Sequence, residues 1–203
     1  MANNMVRARI QICGTRPLLQ HQFGPGALPL EKEERSGVPG NDPAEWRRTS
    51  MVTADGQMYV RGFNAFGMLR DAARHTKKGK GSLQSQVAAT LQILDHQILL
   101  DRWLPEHGDP TTNSTDSVYI DVAGVKNPST KGRNVRYRLA ASSGWKAAFT
   151  ILWDKTIISR DQMRAILNDA AVLVGLGDGR SIGYGRFAVE AFEVLDAEKA
   201  AAA

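Results

Sequence analysis

Val6, Ala8, Ile10 and Ile12 alternate with Arg7, Arg9 and Gln11, a period of two that predicts a half-buried strand, stopped by Gly14 and Pro17. The same alternation returns in WKAAFTILW, where Trp145, Ala147, Phe149, Ile151 and Trp153 fall on one face. Gln57 to Arg61, after the turn signal Asp55-Gly56, reads as a short strand. Between Asn64 and His75 the period changes to that of a helix, with Phe66, Leu69, Ala72 and Ala73 on one side and Asn64 or Gly62 as its cap. A second helix is announced by the capping-box pair Ser159 and Gln162, with Asp161 in the first turn. Its stripe is Met163, Ile166, Leu167, Ala170, Leu173 and Val174, and Gly175 stands as the stop. Phe187 and Val189, with Phe192 or Val194, predict a last strand.

Other segments carry weaker patterns. Residues 24–45 are rich in proline, glycine and charge and read as a long loop, and Pro105 to Asp116 as another. KKGKG, Lys77 to Gly81, has no periodicity and is expected to be mobile, and the alanine-rich end is expected to fray. Val87 to Leu100 fits a helix or one or two strands. Val118 to Val122 and Arg133 to Leu139, separated by GVKNPSTKG, predict a long hairpin. The order is β, long excursion, β–α, inserted hairpin, β–α–glycine loop–β. That is an α+β chain, read as one domain over 1–203 with an inserted hairpin at 104–140.

The glycine loop, VGLGDGRSIGYGRFAV from Val174 to Val189, narrows the chemistry. Gly183 to Ala188 fits GxGxxA, but a dinucleotide loop needs a strand before it and a helix after it. Here the helix comes first, and no GxxxxGK[ST] occurs in the chain. Two readings remain: a tight helix-to-strand corner, or a loop that meets a polyanion through Arg180 and Arg186.

Charge is compatible with the second. The 203 residues carry a formal net charge of +5 and a pI of about 9.5. Arg61, Arg70, Arg74, Lys77, Lys78 and Lys80 are opposed only by Asp71 between residues 61 and 80, and Lys131, Arg133, Arg136 and Arg138 by no acid between 131 and 138. In a strand Arg136 and Arg138 share a face and Tyr137 takes the other. Any one such run is ordinarily a solvated face. The single cysteine, Cys13, excludes an internal disulfide. No secretory leader and no membrane-spanning run is expected, so the chain is read as soluble and cytoplasmic, without membrane contact. His21, His75, His96 and His107 form no metal-spaced pair, and no cofactor or metal is expected. His21 alone is placed to serve as a general acid or base. No dense carboxylate constellation singles out an enzyme.

Three stretches together, GTRPLLQHQF, MYVRGFNAFGMLRDAA and GLGDGRSIGYGRFAV, resemble the RAMP superfamily of CRISPR-associated proteins, its Cas7-like backbone subunits above all. Gly62, Asn64, Gly67 and Arg70 match the family's glycine-and-arginine element, whereas Arg61 replaces its usual proline and Phe66 its usual lysine. The resemblance implies an RRM-like, ferredoxin-type β-α-β-β-α-β core with a thumb-like hairpin. It also implies a non-catalytic subunit that holds single-stranded RNA, in preference to DNA, by its backbone and assembles head to tail with copies of itself, with other CRISPR effector subunits as further partners. The contacts it implies are Arg16, Asn64, Arg70, Arg74, Lys77, Lys78, Lys131, Arg133, Arg136, Gly177, Arg180 and Ser181. Related alternatives are a Cas6-like endoribonuclease using His21, a cleaving subunit with a loop acid among Glu31, Glu33, Glu34 and Asp42, a single-stranded-DNA binder, and a solitary phage-encoded interaction module or anti-CRISPR protein.

Overall fold

A computed structural model describes residues 4–22, 42–126 and 132–195. Most of the long loop at 24–45, with Glu31, Glu33 and Glu34, lies outside them, as do Lys131 and the alanine-rich end.

The first alternating stretch is β1 (Met5–Gly14), and the second, Trp145 to Trp153, belongs to the same sheet. Its members in chain order are β1, β3 (Gln57–Arg61), β6 (Gln92–Ile93), β7 (Gln97–Trp103), β10 (Lys146–Asp154) and β11 (Phe187–Leu195). The strand order is β11-β1-β10-β7-β3, with β6 also pairing β10, and every pairing is antiparallel. The inward positions of β1 and β10 are those the alternation selected: Val6, Ala8, Ile10 and Ile12 against Trp145, Ala147, Phe149, Ile151 and Trp153, all buried. They pack on α2 (Gly62–Ala72), α3 (Gln84–Thr90) and α4 (Arg160–Asp169) through Met68, Leu69, Val87, Met163, Ile166 and Leu167. The other face of β1 shows Arg7 and Gln11 to solvent.

A second sheet, β2-β9-β8, is built from β2 (Leu18–Gln20), β8 (Val118–Lys126) and β9 (Arg133–Ala141). The long hairpin is therefore present, in register from Val118↔Ala141 to Lys126↔Arg133. Its alternation divides two cores. Leu18, Val118, Ile120, Leu139 and Ala141 join the main one, while Leu19, Tyr119 and Ala140 pack with Tyr184 on the opposite side.

Several segments depart from expectation for local reasons. KKGKG is not patternless: β4 (Lys77–Lys78) and β5 (Gly81–Ser82) form a small hairpin whose two-residue turn begins at Gly79, φ +58°. The ambiguous 87–100 region holds parts of α3, β6 and β7, so it contains both alternatives. α1 (Glu45–Thr49) emerges where the long loop was expected to end, with Trp46 buried. The capping box of α4 is formed: Gln162 N donates to Ser159 Oγ at 3.2 Å and Ser159 N to Gln162 Oε1 at 2.9 Å. Beyond Asp169, however, Ala170–Val174 winds as a π-turn, with Gly175 N donating to Ala170 O at 2.7 Å. The wider turn carries Leu173 out to solvent and brings Ala171 into the core, against the expected stripe. In β11 the pattern changes parity because Ile12 faces Val189 while Gln11 faces Ala191, which leaves Glu190 as a bulge. That is why Phe187 and Val189, then Phe192 and Val194, reach the same core.

Candidate nucleic-acid interface

The glycine loop is first of all a corner. Gly175, Gly177, Gly179, Gly183 and Gly185 all have positive φ. At Gly177 (φ +82°) a Cβ would stand 2.6 Å from Leu19 O, and at Gly185 (φ +68°) 1.7 Å from Leu176 O. The loop crosses β2 at van der Waals distance and is bonded to it: Asp178 N donates to Leu19 O at 2.8 Å and Gly185 N to Pro17 O at 2.8 Å. Arg186 belongs to this corner rather than to the surface. Its guanidinium donates to Val174 O, a carbonyl at the helix end, and, at 3.2 Å, to Arg180 O in the loop, tying the two together. Burial, then the neighbouring Arg180 charge, push its pKa down.

What the corner positions is a short 3₁₀ turn, Arg180–Ile182, on the rim of a cleft of about 890 Å³. The end of α2, the glycine loop and the hairpin β8–β9 form its walls. Of the sequence-selected residues, Arg74, Arg136, Gly177, Arg180 and Ser181 meet here, together with His21. Their charges are not simply displayed. Asp71 takes Arg70 at 3.0 Å, Arg74 at 3.5 Å and Arg180 at 3.5 Å, so three arginines from two elements converge on one carboxylate. Arg136 lies 2.5 Å from Glu45 Oε1, and His21 Nε2 lies 3.2 Å from the same oxygen. Tyr137 N donates to Glu45 Oε2 at 3.1 Å. Burial raises the Glu45 pKa, but these partners outweigh it and hold the group below its ordinary value of 4.5.

Arg138 has a different fate from Arg136. It is buried, donating to Asp121 at 2.7 Å and to Asp178 at 3.1 Å. Burial lowers its pKa, and the two carboxylates more than reverse that, so it stays charged. It ties β8, β9 and the glycine loop together and is no surface contact. The adjoining Tyr119 hydroxyl is pushed up to about 12, by burial first and then by the Asp121 charge.

The remaining candidates lie elsewhere. Asn64 is the third residue of α2, and its Oδ1 accepts from Arg61 N at 3.1 Å, a capping role with Arg61 as N-cap. Arg16 is exposed beyond the glycine loop, beside Gly183 and Tyr184, outside the cleft. Lys77 and Lys78 sit in β4, and Arg133 begins β9. Of the loop acids only Asp42 is described, and it pairs with Arg48 on the surface.

The cleft continues. A narrower groove of about 290 Å³ shares His21, Gly177 and Asp178 with it, and shares Tyr59, Arg61 and Phe63 with a third hollow of about 640 Å³. The three hollows adjoin through these shared walls, a trough in segments from Arg180, past His21 and Asn64, to Arg61 and Phe63. Among the described residues no His, Cys, Asp and Glu cluster could hold a metal ion, and no helix is long and apolar enough to cross a membrane.

No family model matches this chain, and no curated protein does. Among solved structures it is similar to a chain of the Type III-B Cmr-beta complex, seen by cryo-electron microscopy bound to cognate target RNA. That similarity covers 95% of this chain at 14% identity and a TM-score of 0.48, and this chain spans 61% of the other's length. It is also similar to a chain of a Type IV-B CRISPR complex, over 94% of this chain and 91% of that one, at 15% identity and a TM-score of 0.45.

Proposed function

We propose that this protein binds single-stranded nucleic acid, RNA in preference to DNA, through the sugar–phosphate backbone and without cleaving it. The observation that carries the reading is the trough, which begins where Arg70, Arg74 and Arg180 converge and has Arg136 on its opposite wall. Arginine forks match phosphate oxygens, and a row of them holds a strand with little regard to sequence. In this reading β11-β1-β10-β7 with α2 and α4 is the RRM-like core, and β8–β9 is a thumb that leans over the strand. Copies pack head to tail along the strand, since a heterologous contact that does not close produces a filament, and other effector subunits join the same assembly. Val122 and Val125, both more than two-fifths exposed on β8, supply apolar surface for such contacts.

The test is binding to long single strands as salt is raised. The logarithm of affinity should fall against the logarithm of salt with a slope of about −0.7 per phosphate neutralised. Weak binding at ~50 mM salt, or affinity flat with salt, overturns the reading. The 260/280 nm absorbance ratio of the purified protein, before and after RNase or DNase, reports which polymer it carries.

One observation favours a second reading. His21, on the wall of the cleft, is oriented by the buried carboxylate of Glu45, the arrangement a general acid–base needs. Metal-independent RNA cleavage that disappears in His21→Ala would establish it, and intact RNA after long incubation would exclude it.

A further inference from the structure

Phe63 is an aromatic side chain left 59% exposed at the second position of α2, the most exposed aromatic ring among the described residues, ahead of Trp103 at 49%, whereas Trp145, Phe149 and Trp153 are completely buried. Its placement is rigid. Gly62 before it is pressed against the β6–β7 connection, where a Cβ would stand 2.3 Å from Asp95 O, and its N–H donates to His96 O at 2.9 Å. Asn64 after it caps the helix. Arg61 lies over the Phe63 ring, with the guanidinium carbon 5.7 Å from the centroid. The hollow beside this pair, about 640 Å³ and lined also by Tyr59 and Phe66, falls in the size range of small-ligand clefts, about 300–1,000 Å³.

We infer that Phe63 and Arg61 form a nucleobase-stacking subsite at the end of the trough opposite the arginine cleft. This rests on the single-strand reading above. Proteins that hold single strands without sequence preference alternate cationic contacts to phosphate with aromatic rings on which bases stack. The trough contains both components in adjoining hollows, linked by the segment that His21, Gly177 and Asn64 line. A flat ring flanked by a guanidinium accepts the π-face of any base, and the cation adds attraction for the polarisable ring. The subsite supplies affinity that salt does not screen, in contrast to the arginine end.

The experiment uses the full chain and a fluorescent oligouridylate of about ten nucleotides, short enough for one copy. Phe63→Ala should weaken binding about 5- to 100-fold with the salt slope unchanged, and Phe63→Trp should restore it. An abasic nucleotide that costs the wild-type protein affinity, scanned along the oligonucleotide, should cost Phe63→Ala nothing at one position. Thermal unfolding of Phe63→Ala should match wild type, since the ring is exposed. Equal affinity of Phe63→Ala and wild type overturns the subsite while leaving the arginine cleft standing. A loss seen only on long strands that carry many copies also overturns it, and makes Phe63 a contact between copies. Failure of the wild-type protein to bind the oligonucleotide overturns the single-strand reading and the subsite together.

Discussion

Asp71 decides how much of the cleft's positive charge is available. Its carboxylate stands among Arg70, Arg74 and Arg180 as a phosphate would, so on the proposed reading a bound strand must compete with it. Asp71→Asn is expected to tighten binding roughly 2- to 5-fold at low salt, the worth of releasing partly exposed ion pairs. Arg180→Glu should do the reverse, weakening binding alike for all sequences and reducing the salt slope by about 0.7. A filter-binding titration against two unrelated oligonucleotides at several salt concentrations checks both, and a selective loss for one sequence would count against a phosphate contact. The sequence shows Asp71 as the one acid in a basic run, so its importance was legible in outline. Glu45, Asp121 and Asp178 were not, because each meets its arginine only across a sheet or loop, 91, 17 and 40 residues away respectively. Arg136 and Arg138 share a strand face in sequence, yet one is turned to a helix and the other is enclosed. Linear spacing gives direction from a strand but not what stands opposite it.

At the scale of elements, the glycine loop is demanding at particular positions. Gly185→Ala would place a methyl into Leu176 O at positive φ and should cost about 3 kcal/mol or more. Gly183, φ +96°, has nothing within 4 Å of its added Cβ, so Gly183→Ala should cost only about 1–2 kcal/mol of backbone strain. Urea denaturation of the two variants separates packing from conformation. The α1–β9 contact gives a pH effect of defined sign. The folded Glu45 pKa is depressed, so its contribution to stability is present above 4.5, the ordinary value, and is lost as pH falls through the lower folded value. Denaturation midpoints should therefore drop across that acid range, and less so in Glu45→Gln. Strands and helices with a clean period were readable: β1, β10 and the start of α4 follow it residue by residue. The π-turn after Asp169 and the bulge at Glu190 were not, since each changes the phase of a pattern through one extra residue, which periodicity alone registers only as noise.

For the whole molecule, Arg138 is the joint between the second sheet and the glycine loop. Arg138→Ala leaves Asp121 and Asp178 facing each other unpaired and should destabilise the fold by about 3 kcal/mol, toward the low end for a buried pair because Asp178 is partly solvated. The double replacement with Asp121→Asn should recover part of it. Calorimetry of the single and double variants measures this, and additivity would show that the three groups do not act as a unit. The order of strand, excursion, hairpin, strand and helix was visible in the sequence, but which basic segments become neighbours was not. The trough that joins them arises from packing and has no linear signature.

The hairpin is anchored unevenly. β2 pairs with the hairpin at Leu139, Ala140 and Ala141, and Glu45 grips the strand at Arg136 and Tyr137. Farther out, Gly124↔Val135, Val125↔Asn134 and Lys126↔Arg133 continue as a two-stranded ribbon. Such an arm behaves as a cantilever whose aim is set at its root. Lengthening it changes reach by roughly 3.3 Å per residue pair, and adding pairs two at a time returns the same side chains to the same side. The arm could therefore be lengthened or shortened while the trough at its base keeps its geometry.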